Sequence, residues 1–385
     1  MTGTIQERHH DGAVEETVRA AIIDQLGAAT FTGAEMRLSA LQPGEVLVDV
    51  KAAGLCHSDW NFVTQNWGNP FPALLGHELA GIVEAVGDGV TEVAPGDHVV
   101  ACGVTSCGEC ENCIDGGRVW CLRTERSRRS PDAAPRLSTA EGEPLWTMMN
   151  LGAFAQKTIV HELNLVAIDP AVPFDRACVL GCAVATGAGA VIRTAQVRPG
   201  QNVVVIGAGG VGLNAIQAAA LVGARRIIAV DVQDDKLALA TRFGATHVVN
   251  GAEVDAVSAV RELTGGLGVD HAFEMTGLEK PLQDGYDMLR RNGTVYIVGM
   301  QALGSTFSLP SAEFFRGTSV RAVTMGSANF KIDIPFYAEL YLQGRFNLDD
   351  LVGRRLTLDQ IDEGYAEMLG GGGVARSVVT FEERS

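Results

Sequence analysis

Residues 197–224 read VRPGQNVVVIGAGGVGLNAIQAAALVGA. The Pro199-Gly200 turn signal is followed by an apolar run, NVVVI, then by glycines, and then at once by an amphipathic helical pattern. The string GAGGVG places Gly207, Gly209 and Gly212 in G-x-G-x-x-G, with Gly210 inside the turn. Alone this pattern is weak; between a strand and a helix it is in the context that a dinucleotide-binding turn requires. Gly207 permits the tight turn, Gly209 lets the backbone approach a pyrophosphate, and Gly212 lets helix and strand pack closely. The pyrophosphate then meets free N–H groups at the helix N-terminus. Asp231 ends the next apolar run, IIAVD, nineteen residues after Gly212. A carboxylate there accepts from ribose hydroxyls and repels a 2′-phosphate, which favours NAD over NADP. The competing reading is a glycine turn kept for packing alone. Lys236 either touches the adenosine ribose or is a solvated surface lysine.

Working outward, RIIAVD (226–231), THVVN (246–250), VDHAFEMTG (269–277), GTVYIVGM (293–300) and SVRAVTM (319–325) read as strands, several of them separated by helical segments. Apolar strands alternating with helices predict a doubly wound parallel sheet, a Rossmann domain, over 185–324. Before it the pattern differs. VRAAII (18–23), EVLVDVKAAG (45–54), LAGIVEAVG (79–87) and DHVVACG (97–103) are short strands punctuated by Pro43-Gly44 and Pro95-Gly96. They predict a β-rich, barrel-like domain over 1–184, to which 325–385 returns, ending in the strand RSVVTF (376–381). The fold class is therefore α/β with two domains.

The chain has 385 residues, a net charge of −16 and 46% hydrophobic residues, enough for two cores. So acidic a surface repels phosphate backbones and argues against nucleic-acid binding. No apolar run reaches the roughly 18 residues that would span a bilayer. The stretch from Met1 to about Thr17 is polar and reads as a loose leader without a signal-peptide core. Cysteines outside any obvious pairing point to a reducing cytoplasm.

Four of the eight cysteines, Cys107, Cys110, Cys113 and Cys121, are spaced C-x2-C-x2-C-x7-C. Four thiolates complete a tetrahedral zinc shell, which supports structure and leaves no open position. An iron–sulfur cluster and a pair of disulfides are the competing readings; the first usually has a shorter last spacing, and the second needs an oxidising compartment. The predicted metal lobe spans 102–125. Cys56 in GLCHSD, His77 in LLGHE and Cys182 in LGC are scattered. Taken singly, each reads as an ordinary buried residue.

In combination, GLCHSD, GHELAGIVEAVGDGV, the cysteine quartet, LGCAVATG and GAGGVG resemble, in order and spacing, the zinc-dependent alcohol dehydrogenases of the medium-chain dehydrogenase/reductase superfamily. The resemblance runs from about residue 19 onward. It is strongest to the long-loop branch that includes liver-type and glutathione-dependent formaldehyde dehydrogenases, whose extra loop matches the polar segment 123–146. It implies a GroES-like catalytic domain, two zinc ions per chain, NAD and a homodimer. It further implies that Cys56, His77 and Cys182 hold a catalytic zinc with one position open for water or a substrate oxygen. Glu78 matches a carboxylate behind that metal, and Asp59 an acid that orients the histidine; ordinary capping or salt bridging is the plain alternative for both. Cys102 and Cys178 are expected only to pack.

The implied reaction is reversible hydride transfer between an alcohol carbon and the nicotinamide. Ser58 matches a hydroxyl that relays the alcohol proton. The position that finishes the relay as histidine in many members is Asn61, which cannot titrate, so the proton leaves through water or His57. His57 also matches a pyrophosphate contact, as does Arg376 with its guanidinium fork. Thr186 and Val211 match positions beside the nicotinamide. Pocket positions are Trp67, Gly103, Met148, Met149 and Met300, and Gly103 is expected to widen the inner pocket. These residues predict an apolar primary alcohol larger than ethanol, aromatic ones included, or else simply pack. The competing functions are a dehydrogenase of the thiol adduct of formaldehyde and a catalytically silent, zinc-stabilised dinucleotide-binding protein. The loop between the motifs of Cys56 and His77, NFVTQNWGNPFPALL (61–75), lacks the acidic residues of the formaldehyde branch.

Overall fold

The computed structural model describes residues 16–373 and 375–381. The expected leader lies outside them except for Glu16 and Thr17, which open a strand, Glu16–Ile23.

Six parallel strands form the sheet that contains the glycine turn. Their spatial order is His247–Asn250, Arg226–Asp231, Asn202–Ile206, Val269–Glu274, Leu289–Ile297, Ser319–Ala322. Strand order therefore reverses between Asn202–Ile206 and Val269–Glu274, and in such sheets the crevice beyond the carboxyl ends at that reversal is the ligand site. The central strand is buried on both faces. Val203 and Val205 pack with Leu213 and Ile216 of the helix Gly210–Leu221, while Val204 and Ile206 pack with Val260, Leu282 and Tyr286 on the other side. Each such side chain contributes about 1.5–3 kcal/mol on burial, which is why residues 203–206 of the strand, VVVI, are unbroken aliphatic.

The β-rich part is built from two sheets. In the larger, Leu165–Ala167, His98–Ala101, Glu78–Val86, Glu45–Gly54, Arg376–Thr380 and Val352–Leu356 lie side by side, with Lys157–His161 also on Glu45–Gly54. The C-terminal strand thus returns to the first half, pairing Val378 with Gly54. The smaller sheet takes its two edges, Leu137–Thr139 and Trp146–Thr147, from the segment expected as a polar loop. Strands of three and two residues are too short to show an alternating pattern. Beyond Met325 the chain first adds the helix Phe330–Leu342, whose Phe330, Ile334 and Tyr337 join the core of Val203 and Leu213. Among the described residues no single helix is long and apolar enough to cross a membrane.

One buried carboxylate anchors the polar segment. Glu45 is 2% exposed as a side chain and accepts from Arg129 Nε at 2.8 Å and Arg136 Nε at 2.7 Å. Burial raises its pKa, but the two guanidinium groups and the Gln42 N–H outweigh burial and hold it below the usual carboxylate range. A carboxylate depressed on folding contributes stability above its unfolded pKa and loses it as pH falls through the folded value. Glu45→Gln strands two buried cations, so it should lower unfolding free energy by about 3–5 kcal/mol near neutral pH. In denaturant titrations the gap to wild type should close as pH drops below the ordinary carboxylate pKa.

Candidate active site

Three distant elements meet at one buried point. Cys56 precedes the helix His57–Thr64, His77 precedes the strand Glu78–Val86, and Cys182 precedes the helix Ala183–Gly189. Ligand atoms of Cys56, His77, Glu78 and Cys182 all lie within 4.8 Å of one another. His77 Nε2 is 3.2 Å from Cys182 Sγ, and Ser58 Oγ lies 3.2 Å from Cys56 Sγ and 3.3 Å from His77 Nε2. On the other side of the ring, His77 Nδ1 faces Asp59 Oδ1 at 3.1 Å, and the same oxygen accepts from Gly76 N at 2.9 Å. An Nδ1–H donated to the carboxylate leaves the Nε2 lone pair facing the thiols, the tautomer a metal ligand needs. The Cys182 side chain beside it, against burial and with the Arg376 charge, holds Cys56 well below the ordinary thiol range.

Glu78 stands behind this cluster with both oxygens buried and without a hydrogen bond, within ion-pair distance of Arg376 Nη2 at 3.2 Å. Burial pushes its pKa up to about 7, against the pull of Arg376. Two thiols, one imidazole and an orphaned carboxylate form the donor set of a borderline-soft cation, so the residues fit zinc. Arg376 also donates to Leu55 O at 3.0 Å, and a Cβ on Gly210 would lie 2.6 Å from its Nε. It therefore touches both the metal cluster and the glycine turn.

The cysteine quartet forms a second, closed cluster. Cys107 and Cys113 sulfurs are 3.9 Å apart and those of Cys110 and Cys121 are 4.0 Å apart. A disulfide is about 2.0 Å, and all eight cysteines are free. Tetrahedral zinc with bonds of about 2.3 Å spaces its sulfurs at roughly 3.8 Å. Backbone N–H groups of Cys110, Cys107 and Arg123 point at sulfurs over 3.3–3.4 Å, which favours thiolate charge.

At the glycine turn, Gly207 has φ +98°, and a Cβ on Gly212 would lie 1.9 Å from Gly207 O. A Cβ on Gly209 meets nothing within 4 Å, leaving that backbone open to a ligand. Asp231 Oδ2 accepts from Ala208 N at 2.8 Å, fixing the carboxylate beside the turn. At His57, partial desolvation first, and then the Arg376 and Lys236 charges, against that of Cys56, hold the imidazole pKa below the ordinary range. Arg376 thus places a cation against the turn, suited to a pyrophosphate. Gly187 packs against Val211 O, which brings the helices of Thr186 and Val211 together.

Residues 42–170 match the alcohol dehydrogenase GroES-like domain and residues 210–339 the zinc-binding dehydrogenase domain. S-(hydroxymethyl)glutathione dehydrogenase of Paracoccus denitrificans is 35% identical over 360 residues, covering 90% of this chain and 95% of its own. Alcohol dehydrogenase B of Mycobacterium tuberculosis is 36% identical over 360 residues, covering 91% of this chain and 94% of its own. Benzyl alcohol dehydrogenase of Acinetobacter calcoaceticus superposes with a TM-score of 0.87 at 35% identity, over 95% of this chain and 100% of that one. The chain is a zinc-dependent alcohol dehydrogenase of the medium-chain superfamily. Zinc and NAD are the cofactors of this family.

Around the dehydrogenase site, Phe62 stacks on Trp67 at 5.5 Å and on Trp146 at 5.7 Å. Gly103 does not leave the space expected of it. A Cβ there would lie 2.2 Å from Met149 Sδ, and Met149 is turned inward by a left-handed φ of +53°. Met148 is fully buried, and Met300 lies at the surface with 36% exposure. Asn61 Oδ1 is paired with Gln65 Nε2 at 3.5 Å, and Gln65 Oε1 accepts from Leu303 N at 2.7 Å, tying the helix end to the other half. Thr186 Oγ1 rests 3.8 Å from Met325 Sδ. Phe62, Trp146, Gln65 and Met325 were not legible as site residues, because each acts through a contact distant in sequence.

Two cysteine variants separate the clusters. Cys56→Ser should cut turnover by at least about 100-fold, the loss expected when a metal ligand set is broken, while leaving the thermal midpoint near wild type. Cys110→Ser should lower the midpoint and loosen 102–125 to proteolysis. Paired melting and steady-state rates check both.

Proposed function

We propose that the chain oxidises an apolar primary alcohol, aromatic or otherwise bulky, with NAD, and reduces the matching aldehyde. The observation that carries this reading is the Ser58 hydroxyl, held between Cys56 and His77 at 3.2 and 3.3 Å, beside a glycine turn open to a dinucleotide. We take Cys56, His77 and Cys182 as ligands of the catalytic zinc. Cys107, Cys110, Cys113 and Cys121 are taken as ligands of the structural one. When bound, zinc supplies Lewis acidity toward the alcohol oxygen and NAD accepts the hydride.

The side chains do the rest. Asp59 holds the His77 ring with Nε2 toward the thiols, and Glu78 balances the charge of Arg376 behind them. Ser58 relays the substrate proton outward, since a hydroxyl is too weak a base to keep it. Asn61 is engaged by Gln65, so the onward acceptor is water or His57. Asp231 and Lys236 take the adenosine ribose; Arg376 and His57 face the pyrophosphate; and Thr186 and Val211 lie beside the nicotinamide. Trp67, Phe62, Trp146 and Met149 give the substrate side an apolar wall. Met148 supports it from within, Met300 lies at its mouth, and Gly103 makes room for Met149.

The benzyl alcohol dehydrogenase likeness supports an aromatic alcohol. A second reading has the stronger support among named relatives. The name of S-(hydroxymethyl)glutathione dehydrogenase, 35% identical, favours a thiol adduct of formaldehyde. We further propose domain limits of 1–184 with 325–385 and 185–324, a homodimer, and a cytoplasmic location in keeping with free cysteines.

NAD reduction with benzyl alcohol in the absence of thiol, exceeding that with formaldehyde plus glutathione, is the expected result; strict thiol dependence favours the second reading. Asp231→Gly removes a like-charge contact worth several kcal/mol against a 2′-phosphate. It should raise the NADP-to-NAD ratio of kcat/KM by more than about tenfold.

A further inference from the structure

Asp59 uses one of its oxygens fully. Oδ1 serves both His77 Nδ1 and Gly76 N, whereas Oδ2 is buried without a hydrogen-bond partner. Tyr365 Oη is in the same position: the residue is 1% exposed and its hydroxyl is unpaired. Their surroundings are shared: Gly76, whose N–H binds Asp59 Oδ1, lies against the ring of Phe154, and a Cβ on it would fall 2.9 Å from that ring. The Tyr365 ring stacks on Trp60, the residue after Asp59, at 5.4 Å, and on Phe31 at 5.3 Å, with Phe154 edge-on at 6.3 Å. After burial, Asp59 is the foremost of the charges that push the Tyr365 phenol upward. An aromatic cluster needs no hydroxyl for its packing, and a buried hydroxyl left unpaired is costly. A buried water making about three hydrogen bonds is the usual way in which two such groups are satisfied together.

We propose that Tyr365 Oη and Asp59 Oδ2 share one buried water, which makes Tyr365 a positioning residue for the His77 imidazole. The phenol donates to the water, the water donates to Oδ2, and Oδ1 accepts from His77 Nδ1–H. The outer bond fixes the plane of the carboxylate, and the carboxylate fixes the ring that presents Nε2 to the catalytic zinc. Groups that hold a ligand in this way typically change metal affinity by about 10–100-fold when lost. The inference rests on Cys56, His77 and Cys182 being the catalytic zinc ligands.

Tyr365→Phe keeps the ring and removes only the hydroxyl. Wild type and variant, each loaded with zinc, are exposed to a chelator and zinc release is followed by a colorimetric indicator. The cysteine quartet serves as the internal reference phase. The expected result is about tenfold faster release of the zinc outside the quartet, with the quartet phase unchanged. Unchanged phases with an equal or raised thermal midpoint overturn the inference, since the hydroxyl is then dispensable. Acceleration of both phases with a lowered midpoint also overturns it, by showing general loosening. A high-resolution crystal structure of wild type provides a check independent of the variant: density for a water bonded to both atoms supports the inference, and its absence overturns it. A wild-type chain that holds one zinc removes the ligand reading together with the inference. Two zincs with unchanged variant phases remove the inference alone.

Discussion

Arg376 carries a permanent charge to the place where the two halves meet, and such a charge is tolerated only if paired. Its partners define the site. Glu78 faces it at 3.2 Å, Leu55 O accepts from it at 3.0 Å, and the start of the helix Gly210–Leu221 lies against its Nε. The pairing of Arg376–Thr380 with Glu45–Gly54 fixes where that guanidinium sits. Through Glu78 it reaches the metal cluster, and through Gly210 it reaches the dinucleotide turn. One buried cation therefore joins the Cys56, His77 and Cys182 cluster to the glycine turn.

The chain builds two clusters of similar atoms for opposite ends. The quartet is local: its ligands fall within fifteen residues and are supported by backbone N–H groups, so the lobe closes on itself. The trio is assembled from three elements and is backed by a polar group that is incompletely paired, the Glu78 carboxylate, both of whose oxygens lack a hydrogen bond. Incomplete pairing is tolerated where function requires it. At the trio the Ser58 hydroxyl lies 3.2 Å from Cys56 Sγ and 3.3 Å from His77 Nε2.

Much of the fold was legible because its signals are local. Glu45–Gly54, Arg226–Asp231 and His247–Asn250 are apolar runs bounded by turn residues or helix patterns, and the structure places strands over them. The glycine turn was legible from its context, and the quartet from its spacing. The trio was legible as a resemblance alone, since His77 and Cys182 are 105 residues apart and no periodicity relates them. Contacts such as Arg129 with Glu45, Phe62 with Trp146 and Tyr365 beside Asp59 leave no local trace. The inner pocket was misjudged because a glycine announces space, whereas the left-handed turn that sends Met149 into that space cannot be read from two methionines.

The central claim is that an open trio and a closed quartet each hold one zinc, and that only the trio serves the reaction with NAD. Anomalous scattering from crystals across the zinc absorption edge tests it most directly. Two peaks are expected, one among Cys56, His77 and Cys182 and one among the four cysteines of the lobe. A peak missing from the trio, or one that appears instead at the iron edge, contradicts it.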